Sequence, residues 1–347
     1  MLSLFRPKEP KEKTKGAKRM QKQVINNKKP LGPRIRKYWQ FYLLFIPVLA
    51  FVIVFHYLPM YGIIYGFTEY KVGQTPIFVG LDQFKKLFGI VASDASETTK
   101  MLAARKAQPF WLAFSNTIVF SVIKLLLNTG FAVIISIFLN EMISTKFKKI
   151  TQTIIYLPHF MSRVVTASVF TLLLAVGQSG LVNNVVKALG ISDTSINFLA
   201  EPKQWKIWYY IINVWRETGW QTIIFMATLT GIDPGLYEAA SIDGAGRWQK
   251  MCYVTFPALG NTIITVLILN LAKIMNLFES VFVLQNDAVR NATNVLQTLV
   301  YYEAFNSGAV PDLGYSVAIG LFRSIVGLVL MLLCNMASKK VRGRGIM

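Results

Sequence analysis

The stretch EAASIDGAGRWQKMCYVTFP, residues 238–257, separates two of the most apolar segments of the chain. It holds two acids, two cations and two glycines among small residues, and a proline closes it. Asp233 upstream is a good N-cap and Pro234 a good first helical residue, so a short helix is expected to run through Leu236, Glu238, Ala239, Ala240 and Ile242. Gly244 is a natural stop. A second short helix is expected over 246–253, with Pro257 opening the next apolar span. Leu236, Ala239, Ala240 and Asp243 share one side at helical spacing, and their mostly small side chains let another protein's surface come close. Taken locally, the stretch is either such a plug or an ordinary interfacial turn.

The rest of the chain decides its setting. Of 347 residues, 53% are apolar and mean hydropathy is +0.44, the composition of a polytopic membrane protein rather than a soluble domain. About 20 mainly apolar residues cross a bilayer. Six stretches qualify, at 41–66, 111–139, 153–176, 207–232, 257–283 and 317–337, with an interruption expected near Pro59 in the first. Segment 177–206 contains GLVNNVVKALG, expected as a short amphipathic helix at the outer interface.

The net charge of +20 follows the spans. Lys plus Arg number thirteen in 1–40, three in 140–152, two in 233–256 and four in 338–347. The alternating loops 67–110, 177–206 and 284–316 hold six, three and one. By the positive-inside rule both termini and loop 233–256 are cytosolic. The expected organisation is a basic, disordered-type cytosolic arm at 1–40, a six-helix transmembrane domain at 41–337 and a basic cytosolic tail at 338–347. The arm is too long and basic for a cleavable signal and reads as a tail held near anionic membrane lipid, not as a nucleic-acid binder. Cys252 and Cys334 lack metal-type spacing, and His56 and His159 form no catalytic arrangement, so neither a metal nor a catalytic set is expected.

Spacing adds to this reading. E-A-A, three residues, G, nine residues and V-x-F-P resembles the EAA loop of binding-protein-dependent ABC importer permeases, whose usual form ends I-x-L-P. Val254 and Phe256 are mild apolar departures. FKKITQTIIYLPHFMS (147–162), GLVNNVVKALG (180–190), the run 214–251 and the closing GIM are similar to the carbohydrate-type, maltose-permease-like branch, and within it to LplB-like permeases of oligosaccharides and polysaccharide fragments. The resemblance implies an all-α, type I ABC importer permease fold in the bacterial plasma membrane. It implies that Glu238, Ala239, Ala240, Asp243, Gly244 and Ala245 form a coupling helix seated on a cytosolic ATPase. It implies as partners a second homologous permease, two ATPase subunits, an extracellular lipoprotein solute-binding protein and a sugar. No G-x-x-x-x-G-K-[ST] occurs in the chain, so ATP and Mg would be bound by the separate ATPase, with no cofactor here.

Polar groups inside a membrane face the bundle interior or a water-filled path by default. Asn213, Arg216, Glu217 and Trp220 recur at three- and four-residue spacing on the fourth span, and Lys273, Asn276 and Glu279 at three on the fifth. Asn, Glu and Trp suit sugar hydroxyls and faces, and in maltose-type relatives the solute site lies on these two spans. The alternative is structural: Arg216–Glu217 and Lys273–Glu279 as ion pairs. Arg163 stands where related sequences carry an aromatic residue; it either lines the path and favours an acidic sugar or snorkels to an interface. A channel would share the six spans and polar stripes but would need no ATPase socket. A membrane-embedded enzyme would need a catalytic set that the sequence lacks.

Overall fold

The computed structural model describes residues 36–177, 179–271, 273–305 and 310–342. Most of the expected basic arm and the end of the C-terminal tail, with its GIM, lie outside the described residues. The chain divides at Gly62 into two units.

The first unit carries helix α1 (Trp39–Val52), a π-helical turn (Ile53–Tyr57) and the start of a 3-10 helix (Leu58–Phe67). The interruption expected near Pro59 is a change of pitch, not a break. Pro59 has no N–H to offer the preceding turn, and the π turn, closed by Leu58 N–H on the Ile53 carbonyl, precedes it.

The second unit begins with a two-stranded antiparallel ribbon, β1 (Thr68–Glu69) and β2 (Ile77–Phe78), in which Thr68 faces Phe78. The helices that follow are α2 (Asp82–Phe88), α3 (Glu97–Asn140), α4 (Thr145–Phe160), α5 (Arg163–Leu173), α6 (Leu181–Ala188) and α7 (Pro202–Leu229). Then come α8 (Pro234–Ile242), α9 (Arg247–Lys250), α10 (Phe256–Leu271), α11 (Phe278–Phe282), α12 (Arg290–Thr293), α13 (Leu296–Phe305) and α14 (Leu313–Arg342).

Among the described residues, four helical segments are long and apolar enough to cross a membrane: Trp39–Phe67, Glu97–Asn140, Arg247–Leu271 and Leu313–Lys340. The other two expected spans take different forms. Segment 153–176 is split, because Met161 leaves the helix for extended backbone and the Ser162 hydroxyl caps α5 by accepting from Val165 N–H at 3.1 Å. Segment 207–232 lies in the 28-residue α7, whose polar residues keep it out of the apolar class.

Three further boundaries differ from expectation. Residues 97–110, expected as loop, are the first turns of α3, capped by the Ser96 side chain. Pro257 does not open a separate helix. A π turn at Met251–Thr255 joins α9 to α10, closed by Phe256 N–H on the Met251 carbonyl, so the helix passes a residue that has no N–H. The expected fifth span also ends early. The α10 helix stops at Leu271, and turns over 273–277 lead into α11. Lys273 and Asn276 therefore lie in a turn rather than on a helical stripe.

α3 packs along α7. Near one end Phe120 meets Trp205, Tyr209 and Ile212. Near the other, Ala132 and Val133 meet Phe225 and Leu229. A third cluster joins Leu87, Phe110 and Ala113 to Leu296 and Ile319. Gly219 lets α7 approach α4 closely: a Cβ there would lie 2.2 Å from the Ile155 carbonyl oxygen. Gly219→Ala is expected to destabilise the detergent-solubilised protein by about 1–3 kcal/mol. Gly130→Ala on α3, with nothing within 4 Å, is the control. Equal melting temperatures for the two variants would refute the close-packing role.

Candidate functional site

Between the two packed zones of α3 and α7 lies a cavity of about 350 Å³. It falls near the middle of the apolar stretch 111–139. Its α3 wall is Ser121, Lys124, Leu125 and Asn128, and its α7 wall is Glu217, Trp220 and Gln221. His159 and Arg163 enter from either side of the α4–α5 break, and Asn270, Lys273, Ile274, Asn276 and Leu277 come from the end of α10 and the turn after it.

Both breaks line the cavity, and both have their freed backbone groups satisfied by side chains. At the first, Arg216 donates to the Met161 carbonyl at 3.1 and 3.3 Å and to the His159 carbonyl at 3.4 Å. At the second, Gln297 Oε1 accepts from Leu277 N–H at 2.7 Å and Phe278 N–H at 2.9 Å, and the Ser121 hydroxyl donates to the Ile274 carbonyl. Irregular backbone is tolerated at membrane depth only where it is buried in protein or lines a cavity.

Glu217 gathers the charges. Its Oε1 takes Arg163 Nη2 at 2.9 Å and the Arg216 guanidinium, while its Oε2 lies 3.6 Å from His159 Nδ1. Arg163 Nε in turn lies 3.3 Å from Glu279 Oε2. The His159 ring stacks on Trp220 at 4.8 Å and 13°.

Of the residues singled out from sequence, Arg163, Glu217, Trp220, Lys273 and Asn276 share this cavity. Asn213 does not. It is buried, its amide donates to the Tyr209 carbonyl at 2.7 Å, and it lines a separate small void of about 10 Å³ beside Arg163 and Arg216. Glu279 is exposed and reaches the site only through Arg163. The Arg216–Glu217 pair forms, whereas Lys273 and Glu279 are not paired, and Glu279 goes to Arg163 instead. Asn276 accepts from Arg323 Nη2 at 3.4 Å.

Sequence reasoning missed Lys124, Asn128, His159, Gln221 and Asn270 as wall residues. Lys124 and Asn128 were findable, since they lie four apart on an apolar helix. His159 was not, because its position depends on the break. Among the described residues no group of three or more His, Cys, Asp or Glu is placed to hold a metal.

The second candidate region is the loop around α8. Asp233 caps α8 by accepting from Gly235 N–H at 2.9 Å. The helix closes with Ala245 N–H on the Ala240 carbonyl and Gly244 N–H on the Ser241 carbonyl, with Gly244 at φ +78°. That paired closure needs a left-handed residue, which glycine supplies without strain. The second helix is shorter than expected, at Arg247–Lys250, before the π turn. Tyr237 Oη lies 3.0 Å from the buried Thr255 hydroxyl and pins α8 to that turn. No residue of α8 is buried, and Glu238, Ala239, Asp243 and Gly244 are exposed.

The family model for the binding-protein-dependent transport system inner membrane component matches residues 129–343, more than half of the chain. The chain belongs to this family. The permease is 36% identical over 311 residues to the polygalacturonan/rhamnogalacturonan transport system permease protein YteP of Bacillus subtilis (strain 168), covering 88% of this chain and 89% of that one. It is 33% identical over 309 residues to the protein LplB of the same organism, covering 88% and 90%. Its fold is similar to that of a chain in the crystal structure of a bacterial ABC transporter involved in import of the acidic polysaccharide alginate. There the TM-score is 0.74 and the identity 29%, over 90% of this chain and 99% of that chain. The permease is thus a multi-pass inner-membrane transport component of an ABC importer and not an enzyme.

Glu217 is the one acid that Arg163, Arg216 and His159 share. Glu217→Gln is expected to destabilise the purified permease by roughly 1–3 kcal/mol, less than for a fully buried pair because Glu217 is half-buried. Arg163→Gln should cost less, because Glu217 keeps Arg216. Thermal melting of the two variants checks the order, and the reverse order would refute it.

Proposed function

We propose that this permease carries a carbohydrate, an oligosaccharide or polysaccharide fragment delivered by an extracellular lipoprotein binding protein, into the cytosol by ATP-driven alternating access. One observation carries the coupling part of this reading. Helix α8 and its C-terminal cap leave Glu238, Ala239, Asp243 and Gly244 exposed among the described residues, while the helix is pinned to the π turn through Tyr237. A short rigid helix, exposed at its tip and braced at its root, transmits displacement to the helix behind it, here α10. With Ala240 and Ala245, these residues form the seat for one of two cytosolic ATPase subunits, which hold the ATP and Mg. A second homologous permease completes the core.

In this reading the chain crosses the membrane six times between residues 41 and 337. The broken α4–α5 pair is the third crossing and α7 the fourth. Both termini are cytosolic, with the basic arm 1–40 and the tail 338–347 near anionic lipid, on the strength of the Lys and Arg bias. The substrate class is supported by the transport named for YteP and by the cavity itself. Asn128, Gln221, Asn270 and Asn276 are planar hydrogen-bonding groups, and the His159–Trp220 stack offers a flat face beside them. Arg163, Glu217, Trp220, Lys273 and Asn276 are the solute-path residues. Asn213 and Glu279, also named from sequence, support that wall from outside it.

Two experiments test this. Glu238→Lys in the assembled importer should leave abundance and assembly near normal while transport per ATP hydrolysed falls at least tenfold; wild-type coupling would refute the ATPase seat. In a background lacking Cys252 and Cys334, Ala240→Cys should be labelled by an impermeant maleimide only from the cytosolic side and Asn291→Cys only from outside. The opposite pattern would overturn the orientation.

A further inference from the structure

We infer that the sugar is anionic, and that Lys124 and Lys273 are the cations that hold its acidic group in the cavity. The inference rests on the carbohydrate-permease reading and narrows it. It starts from an imbalance of charge in the cavity wall. The two acids at the site are already engaged: Glu217 by Arg163 and Arg216, and Glu279 by Arg163. The two guanidiniums match those two acids. Lys124, half-buried, and Lys273, exposed, line the same space, and among the described residues neither ammonium group has a hydrogen bond or an ion pair. Two ammonium side chains thus line one chamber at membrane depth, and Glu217, the acid that lines it with them, is already shared between Arg163 and Arg216. Such groups are costly there unless a partner or a bound solute neutralises them.

A second observation points to the same ligand. Asn128 is 3% exposed and lines the cavity, yet its Oδ1 has no hydrogen-bond donor. A buried acceptor left open is rare and is usually filled by whatever occupies the site. A sugar hydroxyl is the donor it lacks, and Asn128 lies four residues along α3 from Lys124, on the same face. The wall therefore combines an acceptor for a hydroxyl, ammonium groups for an anion and the flat His159–Trp220 face for a ring. A neutral sugar would use the first and third and leave both ammonium groups unpaired. A carboxylated or sulfated sugar uses all three.

The test uses the complete importer in proteoliposomes, with its binding protein saturated. The probes are tetrasaccharides of galacturonate, mannuronate and glucuronate, each beside its carboxyl-reduced counterpart, together with a sulfated galactan tetrasaccharide. The wild type is expected to take up at least one anionic probe in preference to neutral ones; the uronate and sulfate arms separate the two kinds of anion. Lys124→Gln and Lys273→Gln are each expected to lower the ratio of anionic to neutral uptake about tenfold, the effect of losing a charge-assisted hydrogen bond. Lys→Arg variants should retain most of it. Uptake of neutral sugars alone would overturn the inference and leave the carbohydrate reading standing. So would Lys→Gln variants that lose both uptakes equally, or that fail to copurify with the other subunits, since the lysines would then be structural. Uptake of no carbohydrate at all would remove the carbohydrate reading itself.

Discussion

The Arg216–Glu217 pair holds open a break in a helix. Between α4 and α5 the chain leaves helical geometry at Met161, exposing carbonyls that a bilayer cannot satisfy. Arg216 takes the His159 and Met161 carbonyls, and Glu217 holds Arg216 while also receiving Arg163 from beyond the break, with His159 Nδ1 3.6 Å away on the near side. One acid thus fixes the ends of two helices against a third. Without it, Arg216 and Arg163 would lose the carboxylate they share.

The end of α10 repeats the solution with neutral groups. Gln297 accepts two backbone N–H groups and Ser121 serves one carbonyl, so side chains take three of the backbone groups that the end of the helix frees. Both breaks contribute to the cavity lining. Interrupting the helices there frees Lys273, Asn276, His159 and Arg163 from helical spacing and brings them to one cavity. The packed zones on either side, Phe120 with Trp205 and Tyr209 at one end and Ala132 with Phe225 at the other, keep α3 and α7 apart by a fixed amount, so the chamber does not collapse.

The cavity and the α8 loop are joined through α10. Tyr237 and Thr255 tie α8 to the π turn, the π turn continues into α10, and α10 ends at the cavity wall. A displacement of α8 therefore has a continuous, hydrogen-bonded route to Lys273 and Asn276. The π turn serves this continuity: it carries the helix past Pro257, where a regular helix would have lost a bond.

The sequence by itself determined what local chemistry decides. Asp233, Pro234 and Gly244 bound α8 where expected, because a cap, a first-turn proline and a left-handed glycine act within a few residues of themselves. GLVNNVVKALG forms α6 for the same kind of reason. That Arg163, Glu217, Trp220, Lys273 and Asn276 would share a polar space was also legible, because each is too costly to leave against lipid. Tertiary structure alone decided which of them meet. Glu279 pairs with Arg163 rather than Lys273, Asn213 turns to its own helix backbone, and Lys124 and His159 join the wall. Those outcomes follow from two helix breaks, and a break inside an apolar run is stable only if distant side chains such as Arg216, Gln297 and Ser121 are there to take its backbone groups. Hydropathy and spacing along one segment carry no information about partners 20 to 153 residues away.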